Sequence, residues 1–135
     1  MFGDLKMAKI ERFEDIEAWK QSREITRLIY KISSAGNFAK DFALVNQIRR
    51  ASISILSNIA EGFERDGDKE FLQFLAISKG SCGEVRAQLY VALDQNYIDE
   101  KEFALISNKL IETSRTISGF MKYLQQSELK GSKFK

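Results

Sequence analysis

Not one proline interrupts the 135 residues. Proline removes a backbone donor and clashes with the preceding turn, so a chain without it carries no built-in stop to helix growth. The breaks come instead from short polar clusters: "SSAGNFAKD" with Gly36 and Asn37, "RDGDK" with Asp66 and Gly67, and "DQNYIDEKEF". Between them, apolar residues recur at steps of three and four. The pattern predicts helices over residues 13–33, 40–65, 68–96 and from Asp99 to about 124. Asp15 or Glu14 is expected at the start of the first helix and Asp68 as the cap of the third. Asp99 with Glu102 three residues on is expected to make a capping box on the fourth.

The fourth segment has the cleanest seam: Phe103, Ile106, Leu110, Thr113, Ile117, Phe120 and Leu124. In the third, Phe71, Leu75, Ser78, Cys82, Val85 and Leu89 step the same way, and Ile77 and Tyr90 are expected to widen the apolar face. In the second, Leu44, Ile48, Ala51, Ile55 and Ile59 share one face, with Ile53 extending it. Its apolar and small-residue arc covers about half the circle, against about 100° for a simple surface helix. A second buried contact is the expected reason. Long helices joined by short turns pack antiparallel, so the expected fold is all-α, an up-down-up-down four-helix bundle. Residues 13–127 are expected to form it, between an N-terminal extension, 1–12, and a basic C-terminal tail, 128–135.

Composition removes several kinds of function. There is no histidine and one cysteine, Cys82. That leaves no ligand set for zinc, no histidine for proton transfer and no intrachain disulfide. A non-enzymatic chain with no cofactor and no metal is expected. No run approaches the 18 apolar residues of a membrane span. The start, "MFGDLKMAKIERFEDIEAW", carries acids early and lacks the apolar stretch of a signal peptide, and Met7 is an alternative start. The expected location is the cytoplasm. Net charge is +2, from 21 basic and 19 acidic residues, too little to announce nucleic-acid binding by itself. Any basic surface has to come from arrangement.

The candidate residues cluster in "QIRRASISILSNIAEGFER", residues 47–65. Asn58 and Glu61 lie three apart at the edge of the polar arc. They read as a pair bonding to a neighbouring helix and fixing register, or as a binding carboxylate with its partner. A lone carboxylate without a second acid or base is poor evidence of catalysis. Gly62, Gly80 and Gly83 each cost about 1 kcal/mol against alanine inside a helix, so a close backbone contact is expected, either where the second and third helices cross or equally at a subunit interface, with ligand binding the lesser alternative. Arg49 sits on the apolar flank, where an interface salt bridge would hold it. Arg50 and Arg65 stand on the polar arc and are candidates for binding nucleic acid. Lys79 and Arg86, seven apart on one flank of the third helix, suit a subunit interface or a phosphate. Arg115 and Lys122 could form a basic face with the tail lysines, Lys130, Lys133 and Lys135. Trp19 is expected to anchor the core or an interface, and Cys82 to act as a small hydrophobe.

With "FEDIEAWKQSREI" before that stretch and "KEFLQFLAISKGSCGEVRAQLYVALDQNYI" after it, the chain resembles the bacterial four-helix bundle protein family over most of its length. That family includes proteins encoded in intervening sequences of large-subunit ribosomal RNA genes, and it is similar to the accessory variability determinant of diversity-generating retroelements. The resemblance implies a homopentameric ring. For the retroelement relatives it also implies binding of RNA or DNA and of a reverse transcriptase. Without a nucleic-acid role, the same features would describe a protein–protein adaptor. Two positions depart from the family pattern. Leu56 stands where proline is usual, which predicts no kink there. Gly80-Ser81-Cys82-Gly83-Glu84 stands where the family reads Gly-Ser-Leu-x-Glu.

Overall fold

The structure, a computed structural model, describes residues 10–134, with side chains described through residue 127. It contains four α-helices, α1 (Glu17–Ser33), α2 (Phe42–Glu64), α3 (Asp68–Asp94) and α4 (Glu100–Phe134), and no strand among the described residues. Single turns of 3-10 helix, Phe13–Asp15 and Phe38–Lys40, lead into α1 and α2. Each helix packs on its sequence neighbours and α1 closes against α4, as in an antiparallel bundle. Helix α4 runs on to Phe134, past the point where a tail was expected to begin, and the side chains of the tail lysines lie outside the described residues.

The starts of the helices divide between expected and unexpected chemistry. Asp99 Oδ1 accepts from the Glu102 N–H at 2.7 Å, and the Asp99 N–H donates to Glu102 Oε1 at 3.1 Å, which completes the capping box. Asp68 does not cap α3. It is the first helical residue, and Gly67 before it takes the cap position without a side-chain bond. Asp15 and Glu14 fall in the 3-10 turn rather than in α1, and Ile16 precedes α1 with no side-chain cap. The Asp15 carboxylate instead accepts the Glu11 N–H at 3.1 Å and the Arg12 N–H at 3.3 Å. At the far end of α3, Asn96 adopts a φ of 62°. The Asn96 and Tyr97 N–H groups then reach back to the Leu93 and Ala92 carbonyls at 3.0 and 2.9 Å, and end the helix. Tyr97 is thereby delivered onto Phe38, with ring centroids 5.2 Å apart. Its hydroxyl donates to Asp41 Oδ2 at 2.9 Å. Asp41 Oδ1 accepts the Leu44 N–H at 3.1 Å and caps α2. One end of the bundle is closed by this stack and bond.

The core is the set of positions stepped by three and four. Ile25, Ile29, Ile48, Ile55, Ile59, Leu75, Val85, Leu89, Leu110 and Ile117 are wholly buried. Helices α2 and α3 form the most intimate pair. Gly62 makes that approach possible: a Cβ added there would stand 2.7 Å from Phe74 Cβ and 2.8 Å from Phe71 Cδ1. Among the described residues nothing lies within 4 Å of such a Cβ at Gly80 or Gly83, so of the three glycines Gly62 alone shows the close contact within the described part of the subunit. Helix α2 passes through Leu56 without a break. The Ser52 carbonyl, which would lose its helical N–H to a proline at 56, also accepts the Thr26 hydroxyl at 3.3 Å.

Gly62→Ala is expected to destabilise the fold by about 1–3 kcal/mol through overpacking against Phe71 and Phe74. Gly83→Ala is expected to leave the isolated subunit as stable or to stabilise it by up to about 1 kcal/mol. Urea denaturation of both variants checks the opposite signs.

Candidate nucleic-acid and subunit interfaces

The 47–65 stretch mostly serves the bundle. Arg49 is held inside the chain, by no acid among the described residues. Its Nε donates to Ser33 Oγ and a terminal nitrogen donates to Ser34 Oγ, both at 2.9 Å. Its guanidinium lies 4.3 Å from the Tyr30 ring centroid. It thus ties α2 to the end of α1. Asn58 and Glu61 do not bond directly to a neighbouring helix. Asn58 Nδ2 donates to the Ser54 carbonyl at 2.8 Å and to Ser54 Oγ at 2.9 Å, within α2. Glu61 is exposed and pairs with Arg65 at 2.9 Å, one turn on.

Serine hydroxyls make the cross-helix ties. Ser81 Oγ donates to Ser54 Oγ at 2.9 Å, which brings Asn58 into an α2–α3 network at one remove. Ser78 Oγ donates to the Ile55 carbonyl at 2.7 Å in the buried interface. Spacing places Ser78 on the seam, but nothing in the sequence names its acceptor. A carbonyl already in a helix is invisible to residue patterns.

Trp19 packs half-buried against Phe13, with centroids 5.2 Å apart, and its indole nitrogen is buried without a partner among the described residues. Cys82 is buried on the seam, and burial pushes its thiol up to about 11 against the opposing pull of Lys79. A cavity of about 240 Å³ opens at the α2–α3 turn between Phe63, Phe71, Phe120 and Tyr123, with Arg65 and Asp68 at its edge. Arg65 is committed there to Glu61 and lies 5.1 Å from the Phe74 ring centroid. Among the described residues no cluster of His, Cys, Asp or Glu is placed to hold a metal ion, and no helix is long and apolar enough to cross a membrane.

The basic candidates divide between two surfaces. Arg50 is exposed on α2 without a partner among the described residues, and Arg65 is at its end. The others lie along the α3–α4 pair. Tyr90 packs on Phe103 at 4.7 Å and Phe71 on Phe120 at 5.3 Å between centroids. That antiparallel register sets Lys79 level with Arg115, and Lys122 lies two turns further along α4 on the same face as Arg115. Lys79, Arg115 and Lys122 are exposed and unpaired among the described residues, whereas Arg86 is half-buried with its Nε lacking a partner there.

Beside this basic strip, α3 turns outward a face that helical spacing assigns in part to the core. Ile77 and Tyr90, expected to widen the buried face, are 52% and 51% exposed, and Val91 is 46% exposed. Gly80 and Gly83 lie on the same outer face, both exposed. Periodicity misassigns Ile77 and Tyr90 because helix α3 is apolar or small around nearly its whole circumference.

A family model described as 23S rRNA-intervening sequence protein matches residues 14–119. Among solved structures, the chain is similar to a protein of unknown function from the S23 ribosomal protein family of Bacteroides thetaiotaomicron. The TM-score is 0.71 at 24% identity, over 78% of this chain and 95% of that one. At that identity the likeness is one of fold. No curated protein matches.

With the Cys82 thiol raised to about 11, roughly one molecule in a thousand carries the thiolate at pH 8. A thiol reagent is therefore expected to label the folded protein negligibly at pH 8 and stoichiometrically after denaturation in guanidinium.

Proposed function

We propose that this chain, which belongs to the 23S rRNA-intervening sequence protein family, is a non-enzymatic cytoplasmic protein that assembles with copies of itself and acts as an accessory to RNA or DNA. A pentamer is the assembly that the resemblance to the wider four-helix bundle family implies. The observation that supports the nucleic-acid half is the level pair Lys79 and Arg115 on the α3–α4 surface, both exposed and in no ion pair among the described residues, with Lys122 beyond them. One such strip is weak at a net charge of +2. Repeated around an assembly, its charges sum against one polyanion, and each phosphate they neutralise releases counterions. The family's description makes 23S rRNA the first nucleic acid to try.

The second reading is a protein–protein adaptor with no nucleic-acid role. It is favoured by Phe42 and Leu105, 74% and 53% exposed on other faces of the bundle. A reverse transcriptase is the partner that the retroelement resemblance implies.

Light scattering on the column eluate tests assembly, and a monomer at micromolar concentration would count against it. Binding to a 23S rRNA fragment and to DNA, measured from about 50 to 200 mM salt, is expected to weaken steeply. Lys79→Gln with Arg115→Gln is expected to lower affinity at low salt and to flatten the salt slope by about one for each phosphate that is no longer neutralised. An unchanged slope would remove the strip from the site. No binding at the lowest salt would leave the adaptor reading.

A further inference from the structure

Where α1 closes against α4, a cavity of about 110 Å³ remains, lined by Gln21 and Glu24 of α1 and by Lys109, Glu112 and Thr113 of α4. All five side chains are polar or charged. Two of their oxygens, Gln21 Oε1 and Thr113 Oγ1, are buried without a partner among the described residues. Thr113 is 1% exposed, so open solvent does not serve its hydroxyl. Leaving such groups unpaired costs stability. Thr113 also has a local remedy that it does not take. A hydroxyl in a helix can donate to a carbonyl one turn back. Ser22, Thr26, Ser52 and Thr116 all do so, to the Trp19, Ser22, Arg49 and Glu112 carbonyls at 2.9–3.0 Å. Thr116 shows that α4 allows the bond within a turn of Thr113. The Thr113 hydroxyl is left for whatever occupies the cavity.

The charges around the cavity select the occupant. Gln21 Oε1 can only accept, so the occupant must bring a donor. Glu24 stands 3.5 Å from Arg27 and is partly neutralised. That leaves Glu112 and Lys109, one charge of each sign, in no ion pair among the described residues. An ammonium placed among Glu112, Gln21 Oε1 and Thr113 Oγ1 would meet three acceptors, one for each hydrogen. A carboxylate on the same molecule would meet the Lys109 ammonium. A ligand with a positive charge alone would be opposed by Lys109, and one with a negative charge alone by Glu112. We propose that this cavity binds a small α-amino acid as its zwitterion.

Volume limits the side chain. A cavity of about 150 Å³ takes a six-carbon ring, so one of about 110 Å³ takes roughly four or five heavy atoms. Free glycine is of that size, and alanine is at the limit. The ligand would bridge Gln21 on α1 to three residues of α4, and so hold the bundle closed by mass action. The site lies within one subunit, on the α1 side of α4, whereas the basic strip lies on its α3 side. It therefore depends neither on self-assembly nor on nucleic acid.

Isothermal titration calorimetry of the whole chain with free glycine is expected to give a saturable heat at one site per subunit, with alanine competing. Ethylamine, acetate and glycine betaine, which keeps both charges but has no N–H to donate, are expected to bind about tenfold more weakly or worse. Thr113→Val keeps the shape of the side chain and removes the orphaned hydroxyl. It is expected to weaken glycine binding about tenfold while thermal unfolding of the ligand-free protein is not lowered. Lys109→Met is expected to reverse the preference, so that ethylamine binds better than glycine. Ethylamine preferred by the unaltered protein would overturn the zwitterion. Glycine binding untouched by both Thr113→Val and Lys109→Met would overturn the site. Lower thermal stability in Thr113→Val with unchanged glycine affinity would make the hydroxyl purely structural and also overturn it. No saturable heat from glycine or alanine would overturn the proposal outright and leave the cavity to solvent.

Discussion

The closeness of α2 and α3 at Gly62 is the contact on which the rest of the bundle is hung. Phe74 Cβ and the Phe71 ring occupy the space that a side chain at position 62 would need. Phe71 in turn packs edge-on against Phe63 of α2 and Phe120 of α4, with centroids 6.1 and 5.3 Å apart. One backbone approach thus sets where three helices meet. Further along the same pair, the Ser78 hydroxyl reaches the Ile55 carbonyl and Ser81 reaches Ser54. Small side chains repeated along the seam keep α2 and α3 close, and each of these hydroxyls brought inside finds an acceptor, as buried polar groups must.

That arrangement decides what remains outside. With α3 held against α2 on one side and α4 on the other, its third side has no neighbour in the subunit among the described residues. This is the side that bears Gly80, Gly83 and Ile77, while Tyr90 stands at its edge against Phe103 of α4. The register of α3 on α4 also brings Lys79 level with Arg115, though the two are 36 positions apart in the chain. The apolar face and the basic strip are therefore adjacent consequences of one packing.

The helices were legible because their signals are local. The Asp99–Glu102 capping box, the seam from Phe103 to Leu124 and the absence of proline each act within one or two turns. Where a cap depended on competition, local reading failed. Asp68 has the chemistry of a cap, yet the turn puts Gly67 at that position and makes Asp68 the first helical residue. The candidate sites were legible by residue and seldom by partner. Arg49 was expected in an interface salt bridge; within the subunit two serines and the Tyr30 ring hold it instead. Asn58 and Glu61 were expected to bond across helices, but each has an acceptor or a cation one turn away in α2. A group that can be satisfied locally at small entropic cost does not need a distant partner.

By itself the sequence determined that this chain is four helices with turns at known places, and that it holds no histidine. Those properties follow from composition and from periodicities of three and four, which belong to the helix and not to its surroundings. Only the tertiary structure decided the roles of the glycines, because Gly62, Gly80 and Gly83 are identical as residues and differ only in what stands opposite them. It likewise decided that Ile77 and Tyr90 are half exposed and that Lys79 stands level with Arg115. Helical spacing says which residues share a face. Which face is buried, and beside what, depends on how neighbouring helices cross.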